Sequence, residues 1–222
     1  MDQFAGEGAV QGRSGDVGLV RGAAPIYPDL VWIGSGRWGA MDELERRLVL
    51  EQLASSEARL LGLVGGLSEQ QWSFRETPER WSIADNIEHL IVFEGFIRSM
   101  IAKSLEAAAE PEKTAEVGAK EPLVLGLAND RKNKLNAREV VRPAGRWADR
   151  DELLCELQKT RAVTVAFAAE TEANLRDHFF PHISFGDLDC YQWLVVLGQH
   201  STRHTFQIEE IKADPAFPSQ SA

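Results

Sequence analysis

LDCYQWLVVLGQHSTRHTFQIEEIKA, residues 188–213, is the stretch that decides the fold. Trp193, Leu197, Ile208 and Ile211 recur at steps of three and four, the spacing of one helical face rather than of a strand. The run continues until Asp214-Pro215 stops it. His200 and His204, four residues apart, lie on that same apolar face. Burying an imidazole without a partner costs about 1–3 kcal/mol. A helix with two such rings on its buried side needs polar groups from its neighbours.

Three further helical patterns precede it, with almost no strand alternation. The first, about 42–64, carries Leu44, Leu48, Leu53, Leu60 and Val64 and ends at Gly65-Gly66. Ser68 and Gln71 then form a capping box opening a short turn, SEQQWSF. The second helix, about 82–108, starts at Ser82, an N-cap directly after Trp81, which reads as a packing anchor. The third, about 149–173, has Asp149 or Asp151 near its N-terminus. About 40 residues separate the second and third helices, enough for a crossover that leaves them parallel. The expected fold is all-α, a four-helix bundle with one long crossover between helices 2 and 3.

The second helix repeats the anomaly of the fourth. Its stripe runs Asn86, His89, Phe93, Phe96, Met100, so a third histidine interrupts an apolar face. One buried histidine is ordinarily a hydrogen-bonded core residue, and one H-x-x-x-H pair is ordinarily half-exposed. Rings on the apolar faces of two helices point instead to a shared partner, which a divalent metal supplies.

Composition sets limits on the rest. Lys plus Arg is 24 and Asp plus Glu is 34, giving a net charge of −10. No basic surface for nucleic acid or an anionic membrane is expected from that balance. No apolar run approaches the roughly 18 residues of a membrane span, and the first residues lack the pattern of a signal peptide. Two cysteines make no disulfide framework, so a cytoplasmic location is expected. Nine of the 18 glycines fall within residues 1–40, which suggests a flexible tail ahead of a bundle over 41–218, with Met41 a candidate natural start. GSGRWG at 34–39 matches a dinucleotide fingerprint literally, but no second strand follows it, so it reads as a linker.

Other candidates have plainer explanations. Asp85, four before His89, could orient a ligand ring, but a helix cap accounts for it better. Glu88 should point about 100° away from His89 and is a poor ligand. Arg203 is expected to pair with Glu209 or Glu210, and Gln207 to hydrogen-bond within the core. His178 and His182 fall in a loop, DHFFPHISFG, and could line a pocket mouth or only shape the turn. Cys155 and Cys190 are expected as small buried core residues. DRKNK, 130–134, is a solvated basic loop that could also meet an anionic substrate.

QQWSFRETPERWSIADNIEHL and LDCYQWLVVLGQHSTRHTFQIEEIK resemble the two signature regions of the DinB-like superfamily of metal-binding four-helix bundles. The resemblance covers about residues 43–218 and is most specific at W-S-I…H-L and H-x-x-R-H-x-x-Q-I. It implies that His89, His200 and His204 are the metal ligands, with Asp85, Arg203 and Gln207 as potential support. It also implies bacillithiol- or mycothiol-type thiol transfer for some members, and homodimers for many. Three nitrogen ligands leave an open position, where water or a substrate thiol could become a nucleophile at neutral pH. Imidazoles suit zinc first, with nickel, iron or copper as alternatives. The expected function is transfer of a low-molecular-weight thiol to a small-molecule electrophile, or hydrolysis of a small substrate. The competing expectation is a non-catalytic, metal-stabilised binding or stress-response module.

Overall fold

The computed structural model of the chain describes residues 40–127 and 136–219. The glycine-rich tail, its GSGRWG motif and the DRKNK run therefore lie outside the described residues. Four long helices carry the fold: α1 (Glu43–Val64), α3 (Ile83–Leu105), α6 (Arg150–Glu170) and α7 (Cys190–Lys212). Short helices α2 (Glu69–Ser73), α4 (Thr114–Gly118) and α5 (Glu121–Leu125) sit in the connections. Among the described residues no helix is long and apolar enough to cross a membrane.

Side-chain caps explain where the helices begin. Asp42, Ser68, Ser82, Asp149 and Asp189 each accept a hydrogen bond from the backbone amide three residues on. All but Asp149 complete a reciprocal capping box. The α1 helix stops at Gly65, and Gly66 follows with φ +71°, a backbone conformation that favours glycine.

Specific contacts fix the helix directions. Arg46 near the start of α1 donates to the Ala168 and Thr171 carbonyls at the end of α6, while Arg150 donates to Leu67 O, so α1 and α6 run antiparallel. Arg59 pairs with Glu209 at 2.7 Å and Lys212 donates to Leu63 O, so α1 and α7 run parallel. Asn86 meets His204 and Phe93 meets His200, so α3 and α7 are antiparallel. It follows that α3 and α6 are parallel, the arrangement a long crossover permits.

Two expectations need correction. DHFFPHISFG is not an irregular loop: Phe179–His182 (β1) and Gly186–Asp189 (β2) pair as an antiparallel hairpin, with His182 opposite Gly186. Gly186, at φ +66°, closes its three-residue loop. The fourth helix accordingly starts at Cys190, with Asp189 as its cap. Cys155 is exposed on α6, although Cys190 is fully buried as expected. Leu153 and Leu157 flank Cys155 and take the buried side of the helix, so position 155 turns outward.

Candidate metal centre

His89 of α3 and His200 and His204 of α7 converge at the middle of the bundle. The Nε2 atom of His200 lies 3.3 Å from that of His89 and 3.3 Å from that of His204. One ligand nitrogen from each ring fits within a sphere of mutual distances no greater than 4.8 Å. Zinc–nitrogen bonds of about 2.05 Å set tetrahedrally would separate their nitrogens by about 3.3 Å.

Hydrogen bonds on the outer edges set the tautomers. His89 Nδ1 lies 2.7 Å from the Val141 carbonyl, and His204 Nδ1 lies 2.7 Å from Asn86 Oδ1. Both partners are acceptors, so both Nδ1 atoms carry hydrogen and both Nε2 lone pairs face inward. Asn86 is itself held, donating from Nδ2 to Ser82 O at 2.8 Å. Two inward lone pairs converge on His200 Nε2, which has one hydrogen at most to offer them. A divalent cation satisfies all three nitrogens together, so the residues present fit a metal.

Burial enforces the neutral form that ligation requires. It pushes His89 down to about 4, against the opposing pull of the Val141 hydrogen bond. Burial, then the neighbouring His89 and Arg203, hold His200 well below its ordinary 6.5. Trp81 packs on His89 and stacks over His204, while Phe93 stacks on His200 with ring centroids 4.0 Å apart. These aromatic faces leave the rings little freedom to turn.

The family model described as the DinB superfamily matches residues 52–208, and all three histidines fall inside the match. The chain belongs to the DinB superfamily. The uncharacterized protein YuaE of Bacillus subtilis (strain 168) is 28% identical over 147 residues, which is 66% of this chain and 86% of that protein. No solved structure matches significantly.

In this DinB-superfamily chain the crossover completes the centre. Glu88 turns away from the rings, as expected, and is nevertheless buried. Its carboxylate accepts from the Ala144, Gly145 and Arg146 amides and from the Arg146 guanidinium at 2.6 Å. Burial works to raise its pKa, but those hydrogen bonds prevail and hold it below the usual range. The carboxylate thus anchors the segment that presents the Val141 carbonyl to His89. Sequence carried no sign of that carbonyl, because every residue has one. Asn86 did leave a sign: it is a polar residue three before His89 on an apolar stripe.

The remaining candidates separate clearly. Asp85 is a cap, accepting from Ser82 and pairing with Arg75 at 2.7 Å. Glu209 pairs with Arg59 rather than Arg203, because α1 packs along that side of α7. Arg203 lines a cavity over the histidines and donates to Leu127 O at 3.5 Å. Gln207 also lines that cavity instead of bonding within the core, because its place on the helix puts it on the cavity wall. His182 joins the wall from β1, and burial together with Arg138 pushes it down to about 4. His178 is buried against Ser104 O at 2.9 Å and takes no part.

Proposed function

We propose that this chain is a metal-dependent enzyme that transfers a low-molecular-weight thiol to a small electrophile. His89, His200 and His204 would hold a divalent ion, zinc before nickel or iron. The observation that carries this reading is a cavity of about 550 Å³ whose wall includes all three histidines. A metal that only stabilised the bundle would need no such cavity, whereas small-molecule sites commonly occupy about 300–1,000 Å³. When bound, the ion supplies Lewis acidity and draws the acid dissociation of a thiol or water toward neutral pH.

The chain's own residues prepare the site. Val141 and Asn86 hold the inward lone pairs, and Trp81 packs on His89 and stacks over His204. Arg203 and Gln207, one and two turns from His200 on the same face, offer polar groups to a substrate on the wall. In the overall transfer the thiol S–H bond breaks and an S–C bond forms as the electrophile's carbon–leaving-group bond, or its π bond, breaks, and the proton ends on the leaving group or on the atom that the π electrons move to. Hydrolysis is the second reading, favoured only by the same open cavity.

Elemental analysis of freshly purified protein tests the premise, with about one divalent ion per chain expected. Bacillithiol, mycothiol or glutathione is then offered with a reactive electrophile. Thiol-dependent turnover that disappears in His200→Ala supports the reading. Absence of bound metal, or metal with no turnover across thiols, esters and amides, overturns it.

A further inference from the structure

The cavity wall changes character along the bundle axis, and we infer that the site takes an amphipathic carboxylate, an apolar chain or ring carrying an anionic head. This inference names the substrate class and rests on the cavity being the reaction site. Because α3 and α7 are antiparallel, Phe96 and Met100 lie level with Trp193 and Val196, on the N-terminal side of His200 in α7. Phe180 and Ile183 of the hairpin close the same end, with Phe180 stacked on Trp193 at 4.5 Å between centroids. From His200 to Trp193 the helix rises about 10 Å, the depth available to an apolar group. Ile183 is 59% exposed yet faces this cavity, a large apolar side chain that a ligand would cover.

Charge on the wall has the opposite sign to the chain. In a protein of net charge −10, the cavity is lined by Arg80, Arg138, Arg142 and Arg203 against one acid, Glu79. Arg80 and Arg142 are also bound to Glu76 and Glu139, at 2.7 and 3.0 Å. A guanidinium has five N–H donors, so one ion pair leaves it able to accept a second carboxylate. Arg203 stands on the far side of His200 from Trp193, which places an anionic head and an apolar body on opposite sides of the histidines.

Calorimetric titration of the full-length protein with straight-chain carboxylates, butanoate to decanoate, and with the matching primary alcohols tests this. Metal-free and zinc-loaded protein are both titrated. Affinity should rise about fourfold per added methylene until the chain outgrows the apolar end. Each acid should bind at least about tenfold tighter than its alcohol in both forms. Ile183→Asp and Arg203→Gln change one side chain at each end of the cavity, and thermal melts check that both variants fold. The first should flatten the chain-length trend and the second should narrow the acid–alcohol gap. Affinity indifferent to chain length, or equal for acid and alcohol, overturns the inference. A zinc-loading protein with a flat series keeps the metal reading and loses this one. A steep series in protein that loads no zinc does the reverse.

Discussion

Replacing Asn86 by leucine should weaken metal binding with only a moderate effect on the fold. Asn86 is fully buried and shares its branching and number of side-chain heavy atoms with leucine, so the substitution removes two hydrogen bonds at the cost of some crowding by the bulkier methyl groups. The one to Ser82 O matters less, because that carbonyl also accepts from the Asn86 backbone amide at 3.1 Å. The one from His204 Nδ1, at 2.7 Å, fixes the tautomer that points the Nε2 lone pair inward. Leaving that N–H unpaired in the core costs about 1–3 kcal/mol of stability. Losing the outer partner of a ligating histidine lowers metal affinity about 10–100-fold. Competition against a chromophoric chelator measures the affinity, and thermal melts of the metal-free protein measure the fold. Asn86→Asp supplies a stronger acceptor to the same ring, so it should bind metal at least as tightly as wild type. A folded Asn86→Leu protein with unchanged zinc affinity would falsify the orienting role of Asn86.

Three other outcomes are expected. The unfolded His89 side chain takes a proton near 6.5, but the folded one resists until about 4, so its contribution to stability rises with pH across that window. Asp189, pushed up to about 6 by burial, titrates in the opposite sense, so His89 is best read as a difference. Between pH 4 and 7, metal-free wild type should gain about 3 kcal/mol over His89→Gln in urea titrations; a pH-independent difference refutes the assignment. Gly198→Ala would place a Cβ 2.9 Å from Gln52 Cβ, which is fixed to the α1 backbone and cannot swing aside. Overpacking of about 1–3 kcal/mol outweighs the roughly 1 kcal/mol that alanine gains in a helix, so the melting temperature should fall. Cys155 should react with maleimide at once in native protein, while Cys190, fully buried and pushed up to about 12, should react only on unfolding.

The parts of the fold legible in sequence are those written in local chemistry. Ser82 and Ser68 announce helix starts because capping uses side chains at fixed offsets, and the structure shows both caps closed. The histidine-interrupted stripes of α3 and α7 pointed to one interior, where the structure brings the three rings together. The hairpin was hidden because each strand has four residues and Pro181 interrupts the first. Proline is tolerated there because, among the described residues, the sheet has two strands, each an edge. Cys155 was misplaced because a small apolar residue type says little about which way its helix turns. The Val141 carbonyl and the Glu88 anchor depend on the path of the crossover, which no periodicity encodes.

The bundle's most deeply buried charges also bear on the site. Arg161 of α6 pairs with Glu94 of α3 at 2.9 Å and donates to Ser201 Oγ of α7 at 2.7 Å and to Leu53 O of α1 at 3.2 Å. One side chain thus touches all four long helices. As a source of stability it is a poor arrangement, because two charges are stripped of water. Arg161 Nε and Glu94 Oε1 also lack a hydrogen-bond partner among the described residues. Apolar packing would hold the helices together as well, but it would tolerate sliding, whereas charged hydrogen bonds are lost within an ångström or two. Ser201 follows His200 in sequence, and Glu94 follows Phe93, the ring stacked on His200. A slip of one residue between α3 and α7 moves them by about 1.5 Å, enough to spoil the 3.3 Å approach of the ring nitrogens. The ion pair therefore fixes the register on which the three-histidine geometry depends.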